Sequence, residues 1–200
     1  AHDDGGGLYA DVGATVLVSA GALVEIKYNE ALGKNGGGLY IQETGNLTIT
    51  GSGAHFLLEG NSAHDDGGGL YADVGATVLV SAGALVEIKY NEALEKSGGG
   101  AHLDKAAAAT ITGSGTRFVL ENNTAHRGGG LDIRSGSTVE VLSGAIVEAK
   151  GNTAHTYGGG VRLENASFLV ESGSRLLLER NNGRDYYGGG LHAEHGSTVS

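Results

Sequence analysis

Two hundred residues with 38 Gly, no Cys, Pro, Met or Trp, and a net charge of −10 exclude several classes of protein. Glycine at this level without proline or a G-X-Y period is not collagen, and a 40% hydrophobic chain with patterned apolar residues is not disordered. No run of about 18 apolar residues spans a bilayer as a helix. The acidic balance disfavours nucleic acid and anionic lipid as partners, and no membrane contact is expected of this segment.

The chain repeats. A GGG triplet starts at Gly5, Gly36, Gly67, Gly98, Gly128, Gly158 and Gly188, and residues 1–32 are identical to residues 63–94. Fixed-period self-similarity of this length is the mark of a solenoid. Because the chain lacks Met and opens and closes inside a repeat, it is read as an uncapped segment of a longer protein. The absence of Cys leaves its redox compartment open.

Within each unit the first strand follows the triplet. Its apolar positions read Leu8/Ala10, Leu39/Ile41, Leu70/Ala72, Ala101/Leu103, Leu131/Ile133, Val161/Leu163 and Leu191/Ala193. Between them lies a column expected to face outward: Tyr9, Tyr40, Tyr71, His102, Asp132, Arg162, His192. This is period-two alternation. The second strand carries inward pairs such as Val16/Val18, Leu47/Ile49 and Val78/Val80. Ala109/Ile111, Val139/Val141 and Phe168/Val170 continue them. The third carries Val24/Ile26, Phe56/Leu58, Val86/Ile88, Phe118/Leu120, Val147/Ala149 and Leu176/Leu178.

An Asn follows every third strand: Asn29, Asn61, Asn91, Asn123, Asn152, Asn181. Asn tolerates a left-handed turn, and stacked amides can form a hydrogen-bonded ladder. Just before it, Lys27, Glu59, Lys89, Glu121, Lys150 and Glu179 alternate in sign. That alternation makes sense if equivalent residues are neighbours in parallel, in-register strands, so that each Lys lies between two Glu.

The sequence therefore predicts an all-β, right-handed parallel β-helix. Each coil takes 30–31 residues and three strands, giving six full coils and a partial seventh across residues 1–200. The triplets are expected to serve positive φ or close backbone approach, and to leave an open glycine strip beside strand one.

The recurring N-x-A followed within a few residues by GGG-L, as in Asn29-Glu-Ala31 and Asn61-Ser-Ala63, resembles the polymorphic outer-membrane-protein repeats of autotransporter passengers. More broadly it is similar to right-handed β-helices of the pectate-lyase-like superfamily. The triplet is GGG rather than GGA, and the second motif has Ile26, Leu58 or Ala149 three residues before Asn instead of Phe. The resemblance implies an extracellular or cell-surface setting, a bacterial outer membrane being the first choice.

Four candidate sites follow. Tyr9, Tyr40 and Tyr71 beside a glycine strip suggest a glycan-binding face, against the alternative of a self-packing ladder. His102, Asp132, Arg162 and His192 continue this candidate binding face along strand one; with Asp104, Arg134, Glu164 and Glu194 they read as a solvated cross-coil ion ladder, or as carboxylates for glycoside chemistry. His2/Asp3/Asp4 and His64/Asp65/Asp66 precede triplets but do not recur as a ligand set, so no metal and no cofactor is expected. Outward Leu17, Leu79, Leu142, Leu57, Val119 and Leu177 suggest lateral packing, and the open ends suggest end-to-end association. The expected role is structural and adhesive, contacting glycans or cell-surface molecules. The alternative is a polysaccharide lyase or glycoside hydrolase.

Overall fold

The computed structural model describes residues 4–171, 173–185 and 187–200. It is a parallel β-solenoid of about six coils, consistent with a right-handed β-helix, and no helix occurs among the described residues. Strands from successive coils stack in register: Leu8 pairs with Leu39, Val16 with Leu47, and Lys27 with Glu59.

Four sheets run along the axis rather than the three expected. The first runs from Leu8–Ala10 to Leu191–Glu194, the second from Thr15–Val18 to Thr198–Val199, and the third from Leu23–Lys27 to Arg175–Glu179. The fourth begins at Glu30–Ala31 and ends at Asn182–Gly183. Most of its strands are two residues long, too short for an alternating pattern to announce them.

The lumen is apolar. Leu39, Ile41, Leu47, Ile49, Phe56 and Leu58 of the second coil are all at or below 2% exposed. Burial of each such side chain contributes about 1.5–3 kcal/mol. Small residues fill the corners, among them Ala54, Ala76, Ala84, Ala107 and Ala145, each buried directly before a strand. The identical copies show that neighbours supply this burial. Val78 and Val86 are 2% exposed in the third coil, whereas Val16 and Val24 in the first are only partly buried. Each coil is the lid of the next.

The three glycines of a triplet do different work. The first has positive φ, and a Cβ there would press on the side chain four residues on, as Gly36 would on Tyr40 Cβ at 2.8 Å. A Cβ on the second would strike the fourth-sheet backbone of its own coil, 2.3 Å from the Ser62 carbonyl in the case of Gly37. A Cβ on the third would lie 3.0 Å from the Asn61 amide in the case of Gly38. Gly36, Gly37 and Gly38 are themselves buried, so the expected open strip is closed by backbone.

Asn29 through Asn181 form the ladder, with a correction. The left-handed residue is the one before each Asn: Tyr28, Gly60, Tyr90, Asn122, Gly151 and Arg180 have φ between 50° and 64°. Among the described residues with positive φ, none of the six ladder Asn appears. The Asn side chain instead bonds in two directions. Asn91 Nδ2 donates to the Leu58 carbonyl at 3.0 Å and to Asn123 Oδ1 at 3.1 Å. Its own Oδ1 accepts from the backbone N–H and Nδ2 of Asn61.

The outer face of the third sheet is a checkerboard. Lys27, Glu59, Lys89, Glu121, Lys150 and Glu179 are register partners as expected. The contacts run mostly within strands, however: Lys89 lies 3.9 Å from Glu87, and Lys150 pairs with Glu148. Lys27 reaches both Glu25 at 2.5 Å and, across coils, Glu59 at 3.5 Å. Leu57 and Val119 are buried rather than available for lateral packing. His55–Glu87 at 2.7 Å and Arg117–Glu148 at 3.0 Å run diagonally past them. Leu17, Leu79 and Leu177 remain exposed, and Leu142 is half-buried.

Candidate functional site: the outer row of the first sheet

The column Tyr9, Tyr40, Tyr71, His102, Asp132, Arg162, His192 is one continuous row, each member the register partner of the next. It is not the open face expected from alternation. Tyr9 is 47% exposed, but Tyr40, Tyr71, His102, Asp132 and Arg162 are all buried. Asp66, the residue before its triplet, comes within 3.7 Å of His102, and the first glycine of a triplet lies against the row, a Cβ on Gly36 falling 2.8 Å from Tyr40 Cβ.

The aromatic half is a stack. Ring centroids of Tyr9 and Tyr40, and of Tyr40 and Tyr71, are 5.2 Å apart, and Tyr71 stacks on His102 at 5.1 Å, with planes within 12°. Tyr40 donates its hydroxyl hydrogen to Asp73 at 2.8 Å, and Tyr9 pairs with Gln42. Burial, reinforced by Asp73, pushes the Tyr40 phenol well above its ordinary range, and burial does the same for Tyr71.

The charged half is a buried network rather than a solvated one. Asp132 is fully buried between Arg134 Nε at 2.6 Å and Arg162 at 3.2 Å, with His102 Nδ1 also 3.2 Å away. Burial works to raise its pKa, but His102, Arg134 and Arg162 outweigh this and hold it down at about 2. Arg162 also binds Glu164 at 2.7 Å and Glu194 at 2.5 Å. Arg134 engages Asp132 on its own strand and Ser97, where the sequence suggested Asp104.

Glu164, Glu194 and His195 are close enough to offer ligand atoms to one ion. Arg162 already neutralises both carboxylates there, so the cluster is an ion-pair terminus first.

The His-Asp-Asp stretch does not converge. His64 pairs with Asp65 at 3.0 Å, Asp65 with Lys96 at 2.8 Å, and Asp66 turns inward to within 3.7 Å of His102. Burial raises the pKa of Asp66. The equivalent His2 and Asp3 lie outside the described residues.

The sequence reading missed a second ladder, at the residue before each of the first four triplets. The Asn35 N–H donates to Asp4 at 2.9 Å, Asp66 N–H to Asn35 at 3.1 Å, and Ser97 N–H to Asp66 at 2.9 Å. Its signal was present: four consecutive coils carry a short side-chain oxygen at this position.

No family model, curated protein or solved structure matches this chain.

Proposed function

We propose that this chain is a length-setting display segment of an extracellular, cell-surface protein of the autotransporter-passenger kind, built like the pectate-lyase-like β-helices. The observation that carries the reading is the coil-to-coil register kept throughout the first three sheets, with a single shift in the fourth between Ala93 and Ser97, and the Asn ladder that gains a rung with each coil. In such a structure stability is a sum of similar coil-to-coil interfaces, so coil number sets reach without redesign of the core. The 32-residue identity between the first and third coils fits growth by duplication of a two-coil module. The burial of Asp132 and its commitment to two arginines favour this reading over glycoside chemistry on the same strand.

The test has two arms. Antibody against residues 63–124 is expected to label intact cells that make the protein, and labelling only after permeabilisation overturns the surface role. Inserting a further copy of residues 63–124 is expected to lengthen the particle by about 9.6 Å in solution scattering, two strand spacings. An unchanged longest dimension overturns the rod.

A further inference from the structure

The row expected to hold aromatic binding residues is sealed, yet among the described residues Tyr28, Tyr90 and Tyr187 are displayed outside it, Tyr187 stacked on Tyr157 at 6.4 Å. Tyr28 and Tyr90 follow the third strand in the first and third coils and are 76% and 56% exposed. Both have φ of 56°. Equivalent positions in three of the other four coils hold Gly60, Asn122 and Gly151, residue types that accept this conformation readily. The fourth holds Arg180, so half of this column carries a large side chain in a conformation that costs strain, and strain of this kind clusters at functional positions.

Neither ring contributes to the lumen. A Cβ on Gly60 would lie 2.6 Å from both Cδ1 and Cε1 of Tyr28, so that ring rests on bare backbone with its remaining surface in water. The bonds Tyr28 N–H to Glu59 and Gly60 N–H to Lys89 hold the corner in coil register. The two tyrosines are therefore two strand spacings apart, about 9.6 Å.

We propose that Tyr28 and Tyr90 form a two-ring platform for an extended, uncharged β-linked polysaccharide. The proposal rests on the cell-surface reading and names its ligand class. In such a polymer alternate sugars present the same face, and the disaccharide repeat is comparable with the separation of the rings. Each apolar sugar face stacks on an aromatic ring. Beside the rings run Lys27 with Glu25 and Glu59, and Lys89 with Glu87. These supply donors and acceptors for hydroxyls with little local net charge. The net charge of −10 repels polyanionic glycans.

Native gels containing hydroxyethylcellulose, glycol chitin or polygalacturonate test this. The parent is expected to be retarded several-fold in at least one of the two uncharged polymers and not in polygalacturonate. The double variant Tyr28→Gly/Tyr90→Gly is expected to migrate as in a plain gel while melting at the same temperature or higher, because glycine relieves the left-handed strain. Tyr9→Ser, at the exposed end of the sealed row, is expected to be retarded like the parent. An unretarded parent, retardation only by polygalacturonate, a retarded double variant, or a double variant that melts well below the parent each overturns the platform. Intact-cell labelling reads out independently, so losing the platform leaves the display role standing.

Discussion

Asn61 and Asn91, thirty residues apart in the chain, are joined by two hydrogen bonds onto one oxygen: Asn91 Oδ1 accepts the Asn61 backbone N–H at 2.9 Å and its Nδ2 at 3.0 Å. Both residues are 1% exposed, so water has no access when the acceptor is removed. Asn91→Ala strands the Asn61 N–H and removes both bonds that the Asn91 amide donates, to the Leu58 carbonyl and to Asn123. An unpaired buried group costs about 1–3 kcal/mol, and a loss of at least about 2 kcal/mol is expected in denaturant unfolding. A midpoint equal to the parent's would remove the ladder from the account of stability.

The duplicated coils offer an internal control for burial. Val24 and Val86 sit in identical 32-residue surroundings, but the first is only partly buried and the second 2% exposed. Val86→Asp places an unpaired carboxylate in the lumen and is expected to abolish soluble folding at neutral pH. Val24→Asp in the same 200-residue chain is expected to fold with a modest loss. Equal damage from the two would show that depth in the stack does not govern the effect.

Two aspartates on either side of His102 are expected to respond to pH with opposite sign. Burial raises Asp66, so its ionised form weakens the fold: the penalty is absent below its unfolded pKa of about 3.9 and grows as pH rises through the folded value. Asp66→Asn keeps the acceptor that Asn35 provides one coil earlier. It is expected to stabilise the protein near neutrality, with the gain fading toward pH of about 3. Urea midpoints against pH read this directly, and a gain that grows on acidification contradicts it.

Asp132 is depressed to about 2, so its contribution is present above about 3.9 and is lost as pH falls through its folded value. Asp132→Asn leaves Arg162, 3% exposed, without its buried partner. Breaking a buried pair from one side costs about 3–5 kcal/mol. The loss should be largest at neutral pH and shrink below about pH 3; a pH-independent loss would point to packing instead.

A small apolar cavity is lined by Leu103, Ala109, Ile111, Phe118, Leu131, Val139 and Val147. The register partners of Ala109 are Val78 and Val139, so the gap marks a side chain two methyl groups short of its column. Ala109→Val is expected to raise stability by about 1 kcal/mol, read as a higher unfolding midpoint. A fall would mean that Phe118 has already closed the space.

Spacing and alternation were enough to lay out the solenoid. The triplets at Gly5 through Gly188 and the sign changes from Lys27 to Glu179 announce coil length and register, because in a stack the same few columns meet again at every turn. The apolar pairs, such as Leu47/Ile49, identify the lumen for the same reason. Alternation reports only that a side chain points away from its own sheet, and it is silent on what the chain places over that side. The sealing of Tyr40, Tyr71 and Asp132 depends on the first glycine of each triplet closing against the row and on ring stacks and ion pairs with neighbouring coils, and Leu57 and Val119 are buried beside diagonal ion pairs between coils. The left-handed residue lies before Asn61 rather than at it, because the amide must point along the axis to bond the coils on either side. These are non-local contacts, created when distant stretches share a surface, and only the tertiary structure decided them.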